Sequence, residues 1–235
     1  MKKEDYENFA HYEERNYFRY ESYRKNSDLA LDKIVTYVNI GLDKPFYTDV
    51  VVIKDYLEET VLVNKYRALP KTYEPHDLVE LPISKGYKLR RAPADSFLNL
   101  ITAAKSDGIT LLPYSAYRSY EYQELLYDKY ALEDGKTLAD TYSARAGHSE
   151  HQTGLAVDVT NDEDINSLDD SSIKWLEDNS SKYGFIIRYP NNKINITGYM
   201  YEEWHLRFIG VYHAAKIKEL DITYDEYYDM YIKTS

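Results

Sequence analysis

The chain has 235 residues, no cysteine, and a formal net charge of −11 at pH 7 from 40 acidic and 29 basic side chains. The acidic balance argues against a nucleic-acid partner, because phosphate binding requires a basic surface. The lack of cysteine excludes disulfide bonds and thiol catalysis, and it leaves only nitrogen and oxygen ligands for a metal. No run of about 18 apolar residues occurs, so no membrane-spanning segment is expected.

Residues 1–60 are expected to form a helical extension that packs on the rest of the chain. Aromatic residues recur at helix-like intervals between residues 2 and 25, which indicates one or two amphipathic helices. A further helix is predicted over Leu29–Val38, with an N-cap among residues 26–28. A separately folded binding module is the alternative, but no flexible linker separates the two parts. Two short strands are also predicted, over residues 50–53 and 60–64.

Residues 61–235 are expected to form the main domain. Its first part, residues 64–82, contains several prolines and is predicted to be extended, with His76 as a loop residue rather than a metal ligand. Apolar side chains at three- and four-residue spacing then predict a helix over 93–107 with one buried face. Residues 110–117 are predicted to form a strand.

Arg118 lies between that strand and a helix predicted over 120–133. A side chain at such a junction can enter a cleft, where a guanidinium can pair with a carboxylate in a bidentate fork. A surface ion pair is the alternative role for an isolated arginine. Another short helix is predicted over 137–146, and Gly147 ends it.

A histidine and an aspartate lie seven residues apart, at His151 and Asp158. A neutral imidazole and a carboxylate are both good zinc ligands. The alternation in residues 154–160 predicts a half-buried strand, on which Asp158 shares a face with small residues that leave room for a metal and a substrate. His148 is a rival ligand, although it lies ten residues from Asp158.

Helices are predicted over 171–183, 210–220 and 224–232, and a strand over 185–189. An aromatic-rich run at 201–208 predicts another strand, and this strand supplies a third ligand, His205. A His/Asp/His set leaves the fourth tetrahedral position open, as a catalytic zinc site requires.

Glu202 stands three residues before His205 and is a natural general base for metal-assisted hydrolysis. On a regular strand, however, residue 205 shares the face of residue 203 rather than that of residue 202. A bend or bulge is therefore needed to bring Glu202 to the site, and Glu203 remains the alternative base.

These motifs resemble those of the D-alanyl-D-alanine carboxypeptidase family of zinc peptidases, which includes vancomycin-resistance D,D-carboxypeptidases and peptidoglycan L,D-carboxypeptidases. The family pattern Ser-x-His-x-x-Gly-x-Ala-x-Asp is met from Ser149 to Asp158, and the pattern Glu-x-x-His is met at Glu202 and His205. The resemblance covers about residues 65–215. Two positions depart from the family, since Ala146 and Glu203 stand where its members usually have proline.

The resemblance implies a set of site residues. It selects His151 over His148 and implies that Zn²⁺ is held by His151, Asp158 and His205. It implies that Glu202 is the catalytic base and that Arg118 contributes both to catalysis and to substrate binding. The segment from Ser115 to Gln123 resembles the part of the family that clamps the substrate. The expected substrate-binding residues are Tyr117, Arg118, Gln123 and Ser149.

The resemblance also implies the fold and the reaction. The fold is expected to be α+β, with a small and mainly antiparallel sheet that carries the zinc site and is flanked by helices. The reaction is hydrolysis of the terminal D-alanine from peptidoglycan stem peptides. Residues 38–46 look more like the L,D branch, so the tetrapeptide is favoured over the pentapeptide. A peptidoglycan endopeptidase with the same zinc chemistry and a non-catalytic wall-binding zinc module are the alternatives.

The expected partner is a peptidoglycan stem peptide, and the protein is expected to act as a monomer. Because such a substrate lies outside the cytoplasm, we expect an extracellular bacterial protein that is cell-wall-associated or membrane-anchored. No N-terminal apolar signal region is visible, so a leader is expected to be missing from this sequence.

Overall fold

A computed structural model of the chain describes residues 2–83, 86–162 and 167–233. Within these ranges the strands form one four-stranded sheet and two short two-stranded pairs. In chain order the strands are β1 (Val51–Val52), β2 (Arg67–Ala68), β3 (Leu78–Glu80), β4 (Lys88–Arg90), β5 (Leu112–Ser115), β6 (Ala156–Thr160), β7 (Phe185–Tyr189) and β8 (Glu202–Phe208).

Helices flank the larger sheet. Across the described ranges, no helix combines the length and apolar character that a membrane crossing needs. Short 3-10 turns lie at Glu14–Asn16, Glu150–Thr153 and Ser180–Tyr183, and a π-helical turn at Tyr228–Ile232 follows the last helix. In chain order the α-helices are α1 (Glu4–Glu7), α2 (Tyr17–Arg24), α3 (Leu31–Asn39), α4 (Arg91–Ser106), α5 (Tyr120–Asp134), α6 (Lys136–Ala139), α7 (Asp170–Asn179), α8 (Ile194–Thr197), α9 (Val211–Leu220) and α10 (Tyr224–Tyr227).

The larger sheet is antiparallel throughout, with the strand order β5-β6-β8-β7. The sequence predicts a half-buried strand at β6, but all five of its residues are buried. One face packs into the core through Val157 and Val159, and the other carries Asp158 at the floor of a cleft. The predicted α+β class, with helices around a small antiparallel sheet, is confirmed.

The main core lies between this sheet and α4. Phe97 and Leu100 of α4 pack with Val157 of β6, Phe185 of β7 and Leu206 of β8. Full burial of a side chain of this size stabilises the fold by about 1.5–3 kcal/mol. This core holds β6 and β8 in place, and those two strands carry the candidate ligands Asp158 and His205.

The N-terminal helices form a second cluster, in which Tyr6 and Tyr20 stack with their ring centroids 5.6 Å apart. A salt bridge also joins α3 to the C-terminal helix α10, in which Lys33 Nζ donates a hydrogen bond to Glu226 Oε1 at 2.8 Å. In addition, β1 pairs with β2 across residue 60. Strand pairing thus connects the parts of the chain before and after residue 60. The division of the chain into two parts at residue 60 stays a prediction.

The predicted strand over 60–64 is wrong. Residues 61–64 are buried, but within this segment only Asn64 forms a bridge, with Arg67. The carbonyl oxygen of Val61 accepts a hydrogen bond from Arg207 Nη2 at 2.6 Å, and that of Leu62 accepts from Arg67 Nε at 3.1 Å. Arginine side chains thus bond the backbone groups that a neighbouring strand would otherwise pair.

Two other expectations need correction, and a third is confirmed in more detail. The helix predicted over 137–146 ends at Ala139, because Asp140 leaves the helix and pairs with Arg145 at 2.8 Å. The predicted N-cap among residues 26–28 is not used, since α3 begins after Ala30 without a side-chain cap. The segment 64–82, predicted only as extended, contains β3, which pairs with β4.

A glycine substitution tests the packing behind β8. In Gly184→Ala the new Cβ would lie 2.7 Å from Phe208 Cε2 and 3.1 Å from backbone atoms of Gly210 and Val211, at a φ of +79°. The left-handed backbone costs about 1–2 kcal/mol, and overpacking costs about 1–3 kcal/mol more. We expect urea denaturation to give a loss of about 2–5 kcal/mol in the free energy of unfolding.

Gly108→Ala is the matched control, because Gly108 has a φ of +81° and nothing lies within 4 Å of its added Cβ. It should lose only the conformational part, about 1–2 kcal/mol. Equal losses in the two variants would contradict the packing described for Gly184.

Candidate active site

Two candidate ligands face each other across adjacent strands. In the β6–β8 pair Asp158 is the register partner of His205. His205 Nδ1 lies 2.9 Å from Asp158 Oδ1, and both side chains are buried. The register of two antiparallel strands therefore suffices to bring one carboxylate and one imidazole together.

The third candidate, His151, comes from the 3-10 turn that precedes β6. Ser149 caps this turn, with its Oγ accepting a hydrogen bond from His151 N at 3.3 Å. Gly154 ends the turn at a φ of +66°, where an added Cβ would lie 2.9 Å from Leu78 Cδ2. The tight reversal places His151 Nε2 at 3.2 Å from Asp158 Oδ2.

The three side chains fit a metal ion. One ligand atom from each of His151, Asp158 and His205 lies within 4.8 Å of the other two. The buried Nε2 of His151 has no hydrogen-bond partner among the described residues, whereas Nδ1 lies 2.7 Å from the Ala116 carbonyl oxygen. A carbonyl only accepts, so Nδ1 carries the proton and Nε2 keeps the lone pair that a metal needs. Two nitrogens and one oxygen form a donor set suited to zinc.

Protonation at the site follows from burial and from neighbouring charges. Burial lowers the pKa of His151 to about 4, with the Arg118 charge acting in the same direction. Burial opposes ionisation of Asp158, but the two histidines hold the pKa of its carboxyl well below the usual range. Burial alone would lower the pKa of His205, yet the facing carboxylates raise it to about 9. A metal ion would take the place of the proton that His205 shares with Asp158.

Glu202 reaches the site through an irregularity in the β7–β8 pair. Ile187 pairs with Leu206, but Tyr189 pairs with Glu202, so three residues of β8 lie opposite one residue of β7. This bulge offsets the alternation of side chains, and both Glu202 and His205 are buried. The sequence analysis requires a bend or bulge of this kind if Glu202, rather than Glu203, is the base. Glu203 is only partly buried and does not line the cleft.

The environment of Glu202 is suited to proton transfer. Its Oε2 lies 4.0 Å from His205 Nδ1, beside the candidate ligands. Burial raises the pKa of its carboxyl to about 7, with the His205 charge opposing the rise. A carboxylate with such a pKa can accept a proton near neutral pH and release it again.

A cleft of about 950 Å³ opens above these residues, and every expected substrate-binding residue lines it. Arg118 lies between β5 and α5 as predicted, and its buried Nε has no partner among the described residues. Gln123 is held by a bond from its Nε2 to the Ala144 carbonyl oxygen at 2.7 Å, while its Oε1 is buried without a described partner. Ser149 both caps the His151 turn and faces the cleft. Tyr117 completes the set on the wall formed after β5.

The other histidines considered lie away from the ligand group. His148 Nδ1 lies 2.7 Å from the Asn64 carbonyl oxygen, and its ring packs edge-on to Tyr47. His76 is an exposed residue in a turn. Neither residue belongs to the three-residue cluster.

Sequence reasoning missed the buried charges behind His205. Glu150 Oε1 accepts hydrogen bonds from Arg188 and Arg207, each at 2.8 Å, and Glu150 Oε2 lies 3.4 Å from His205 Nε2. The available signal was an arginine inside the largely apolar strand β7 and another near the apolar end of β8, because a charged side chain is rarely buried without a partner. Tyr189, whose ring packs 5.1 Å from that of His205, was also not assigned to the site.

Comparison with known proteins adds to this geometry. Residues 86–211 match the model of the VanY family, described as D-alanyl-D-alanine carboxypeptidase. The chain is 44% identical over 181 residues to YodJ of Bacillus subtilis (strain 168), in a match that covers 72% of this chain. The chain spans 66% of that relative's length, just under two thirds.

Two solved structures are similar over most of their length. The LD-carboxypeptidase LdcB, whose structure concerns peptidoglycan recognition, has 38% identity and a TM-score of 0.71, covering 78% of this chain and 91% of its own. A mutant of the vancomycin-resistance D,D-pentapeptidase VanY, solved in complex with Zn(II), has 35% identity and a TM-score of 0.66. It covers 72% of this chain and 98% of its own. The four-stranded sheet and its flanking helices therefore form the same fold as these two solved structures.

Replacement of a single histidine tests the metal centre. In His151→Ala the unpartnered Nε2 is lost and two ligands remain. We expect zinc affinity, measured by competition with a chromogenic chelator, to fall by more than about 100-fold, beyond the range seen for residues outside the ligand set.

His148→Ala should stay within about threefold of the unchanged protein, because His148 has no contact with the three ligands. Similar losses in both variants would show that His151 is not specifically a ligand. If His151→Ala bound zinc as tightly as the unchanged protein does, the hypothesis of a metal site at these three residues would be wrong.

Proposed function

The chain belongs to the VanY family of D-alanyl-D-alanine carboxypeptidases, and from this premise we propose that it is a zinc-dependent hydrolase that removes the C-terminal D-alanine from peptidoglycan stem peptides. The observation that carries the proposal is the convergence of His151, Asp158 and His205 beside a buried glutamate at the floor of one cleft. Four groups from three separate segments meet there, in the arrangement that metal-assisted hydrolysis requires.

In this proposal His151 Nε2, an Asp158 carboxylate oxygen and His205 Nδ1 hold the zinc ion. Bound zinc would supply Lewis acidity, which polarises the scissile carbonyl and makes water a better nucleophile near neutral pH. The residues supply the remaining features, since three protein ligands leave the fourth position of a tetrahedral site free. Burial of the ligands keeps bulk water from competing with them.

Glu202 acts as the general base and then as the general acid. Its carboxylate accepts a proton from the water whose oxygen attacks the carbonyl carbon of the terminal peptide bond. When the carbon–nitrogen bond breaks, Glu202 returns that proton to the leaving amine. The products are the shortened peptide, with a new carboxylate, and free D-alanine. The raised pKa of Glu202 supports this double role, because both protonation states are then accessible near neutral pH.

Arg118 binds the terminal carboxylate of the substrate. Its guanidinium lines the cleft and retains an unpartnered Nε, and its charge contributes to the low pKa of His151. A bidentate pair with the carboxylate would fix the substrate with its last peptide bond over the metal site. A fixed cation at this point favours removal of a terminal residue over internal cleavage, because an internal bond lacks the neighbouring charge. Tyr117, Gln123 and Ser149 are proposed to orient the peptide beside it.

We propose the tetrapeptide, with its L,D bond, as the preferred substrate. The likeness to LdcB and the character of residues 38–46 support this choice, while the likeness to VanY keeps the pentapeptide as the competing substrate. Such substrates belong to the cell wall, so we propose that the protein acts outside the cytoplasm. It is proposed to act as a monomer, since a single chain supplies all three candidate ligands and the glutamate beside them.

Defined stem peptides provide the direct measurement. We expect mass spectrometry to show loss of one alanine from the tetrapeptide when zinc is present, and no loss after treatment with a chelator. A shortened pentapeptide with an intact tetrapeptide would reverse the choice of bond. If neither peptide shortens although zinc is bound, the carboxypeptidase proposal fails.

Substitution of each of two neighbouring glutamates tests which of them is the catalytic base. Glu202→Gln should lower kcat by about 10²–10⁴-fold, the usual contribution of a positioned acid–base group, while zinc affinity remains. Glu203→Gln should retain near-normal kcat, because Glu203 is only partly buried and does not line the cleft. Steady-state rates and zinc content should be measured on the same preparations. A large loss in Glu203→Gln with normal turnover in Glu202→Gln would exchange the two roles.

A further inference from the structure

A buried charge cluster lies directly behind His205. It contains two carboxylates and two guanidinium groups, from Glu150, Asp225, Arg188 and Arg207, all at most 3% exposed. Glu150 Oε1 accepts from Arg188 Nε and from Arg207 Nη1, each at 2.8 Å. Arg188 Nη1 donates to Asp225 Oδ2 at 2.7 Å. The formal charges cancel, so the cluster adds no net charge to the site.

Arg207 and Asp225 make further hydrogen bonds outside the cluster, to backbone carbonyl groups and to another side chain. Arg207 Nη2 donates to the carbonyl oxygens of Glu59 and Val61, at 2.9 and 2.6 Å. Asp225 Oδ1 accepts from Asn64 Nδ2 at 2.8 Å. The carboxylate of Glu150 is therefore held in one orientation, with Oε1 turned toward the arginines and Oε2 turned toward His205.

The two nitrogens of His205 face different groups. Nδ1 lies 2.9 Å from Asp158 Oδ1 and 4.0 Å from Glu202 Oε2, on the side of the cleft. Nε2 lies 3.4 Å from Glu150 Oε2, on the side of the core, at the long end of hydrogen-bond range. Because a carboxylate anion only accepts, the nitrogen that faces Glu150 must carry a proton.

We propose that Glu150 is a positioning residue for the metal centre, whose carboxylate accepts the Nε2–H of His205 and thereby leaves the lone pair of Nδ1 for the metal. This inference rests on the zinc site proposed above. Glu150 directly precedes His151, so one 3-10 turn presents a ligand toward the cleft and the support of a second ligand toward the core. The arginine pair keeps Glu150 ionised and fixed, which a single carboxylate in an apolar surrounding would not be.

Glu150→Gln is the sharp variant, because it keeps the size of the side chain. Guanidinium groups only donate, so Arg188 and Arg207 would retain the amide oxygen and turn the NH₂ group toward His205. Nε2 would then have to accept, and its proton would move to Nδ1, the atom that faces the metal site. We expect zinc affinity to fall by about 10–100-fold, as for other partners of metal-bound histidines.

Asp225→Asn is the matched control. It weakens the same cluster by removing one carboxylate charge from Arg188, but Asp225 has no described contact with His205. Its zinc affinity should stay within about threefold of the unchanged protein. Thermal unfolding of the zinc-free proteins would measure the structural cost of each variant. Equal losses of affinity in both variants, or no loss in Glu150→Gln, would overturn the proposal.

A measurement on the unchanged protein does not depend on whether a variant folds. In the zinc-loaded protein, ¹⁵N NMR of the histidine rings should show His205 protonated at Nε2 and metal-bound at Nδ1. Metal binding at Nε2, or an unprotonated Nε2, would overturn the role of Glu150 directly. Zinc binding and NMR need no peptide, so normal results without peptide cleavage would remove only the proposed hydrolysis, and failure to bind zinc would remove both proposals.

Discussion

The pairing of β6 with β8 in one register is the constraint on which the site depends. It sets Asp158 directly opposite His205, and a slip of one residue would turn one of them toward the core. The apolar residues next to them in sequence, Val157 and Leu206, are buried in the main core and fix that register. Packing on one face of the sheet thus determines the chemistry on the other, because the same strands supply both.

The site on this sheet contains three buried carboxyl groups, and their surroundings differ. Asp158 lies between two histidines, and Glu150 lies between two arginines. Burial raises the pKa of the Glu202 carboxyl to about 7, and the nearby His205 charge only partly opposes the rise. Among the described residues, Asp158 and Glu150 each have two basic side chains within 3.2 Å, whereas the nearest basic atom paired with Glu202, His205 Nδ1, lies 4.0 Å away.

The sequence predicted those features that depend on neighbouring residues. The spacing of small residues around Asp158, the strand ends at Arg118 and the aromatic run at His205 are all local, and the structure brings their side chains to one cleft. The position of Glu202 was left open because alternation along β8 alone gives the wrong face. The bulge that resolves it depends on Tyr189 of the partner strand, which no pattern within 201–208 could reveal.

Features that depend on distant partners were missed or wrong. Residues 60–64 have the apolar pattern of a strand, but two of their carbonyl groups accept hydrogen bonds from arginine side chains, those of Arg207, far along the chain, and of Arg67 in β2. The cluster around Glu150 joins residues that are 37 to 57 positions apart. A single sequence shows that a buried arginine needs a partner, but it does not show which acid supplies it. These pairings arise only once the sheet has formed.

The N-terminal segment contacts a residue of the cleft wall, since the Tyr47 hydroxyl oxygen lies 3.3 Å from that of Tyr199. Lys65 Nζ lies 3.8 Å from the ring centroid of Tyr199 and 4.7 Å from that of Tyr47, and it donates to the Asp140 carbonyl oxygen. Tyr199 lines the cleft and packs on Tyr189, which in turn packs on His205. Burial lowers the pKa of Lys65 to about 7, so the aromatic faces and the carbonyl must compensate for its poor solvation. Removal of Tyr47 would therefore loosen an aromatic stack that ends at a candidate ligand.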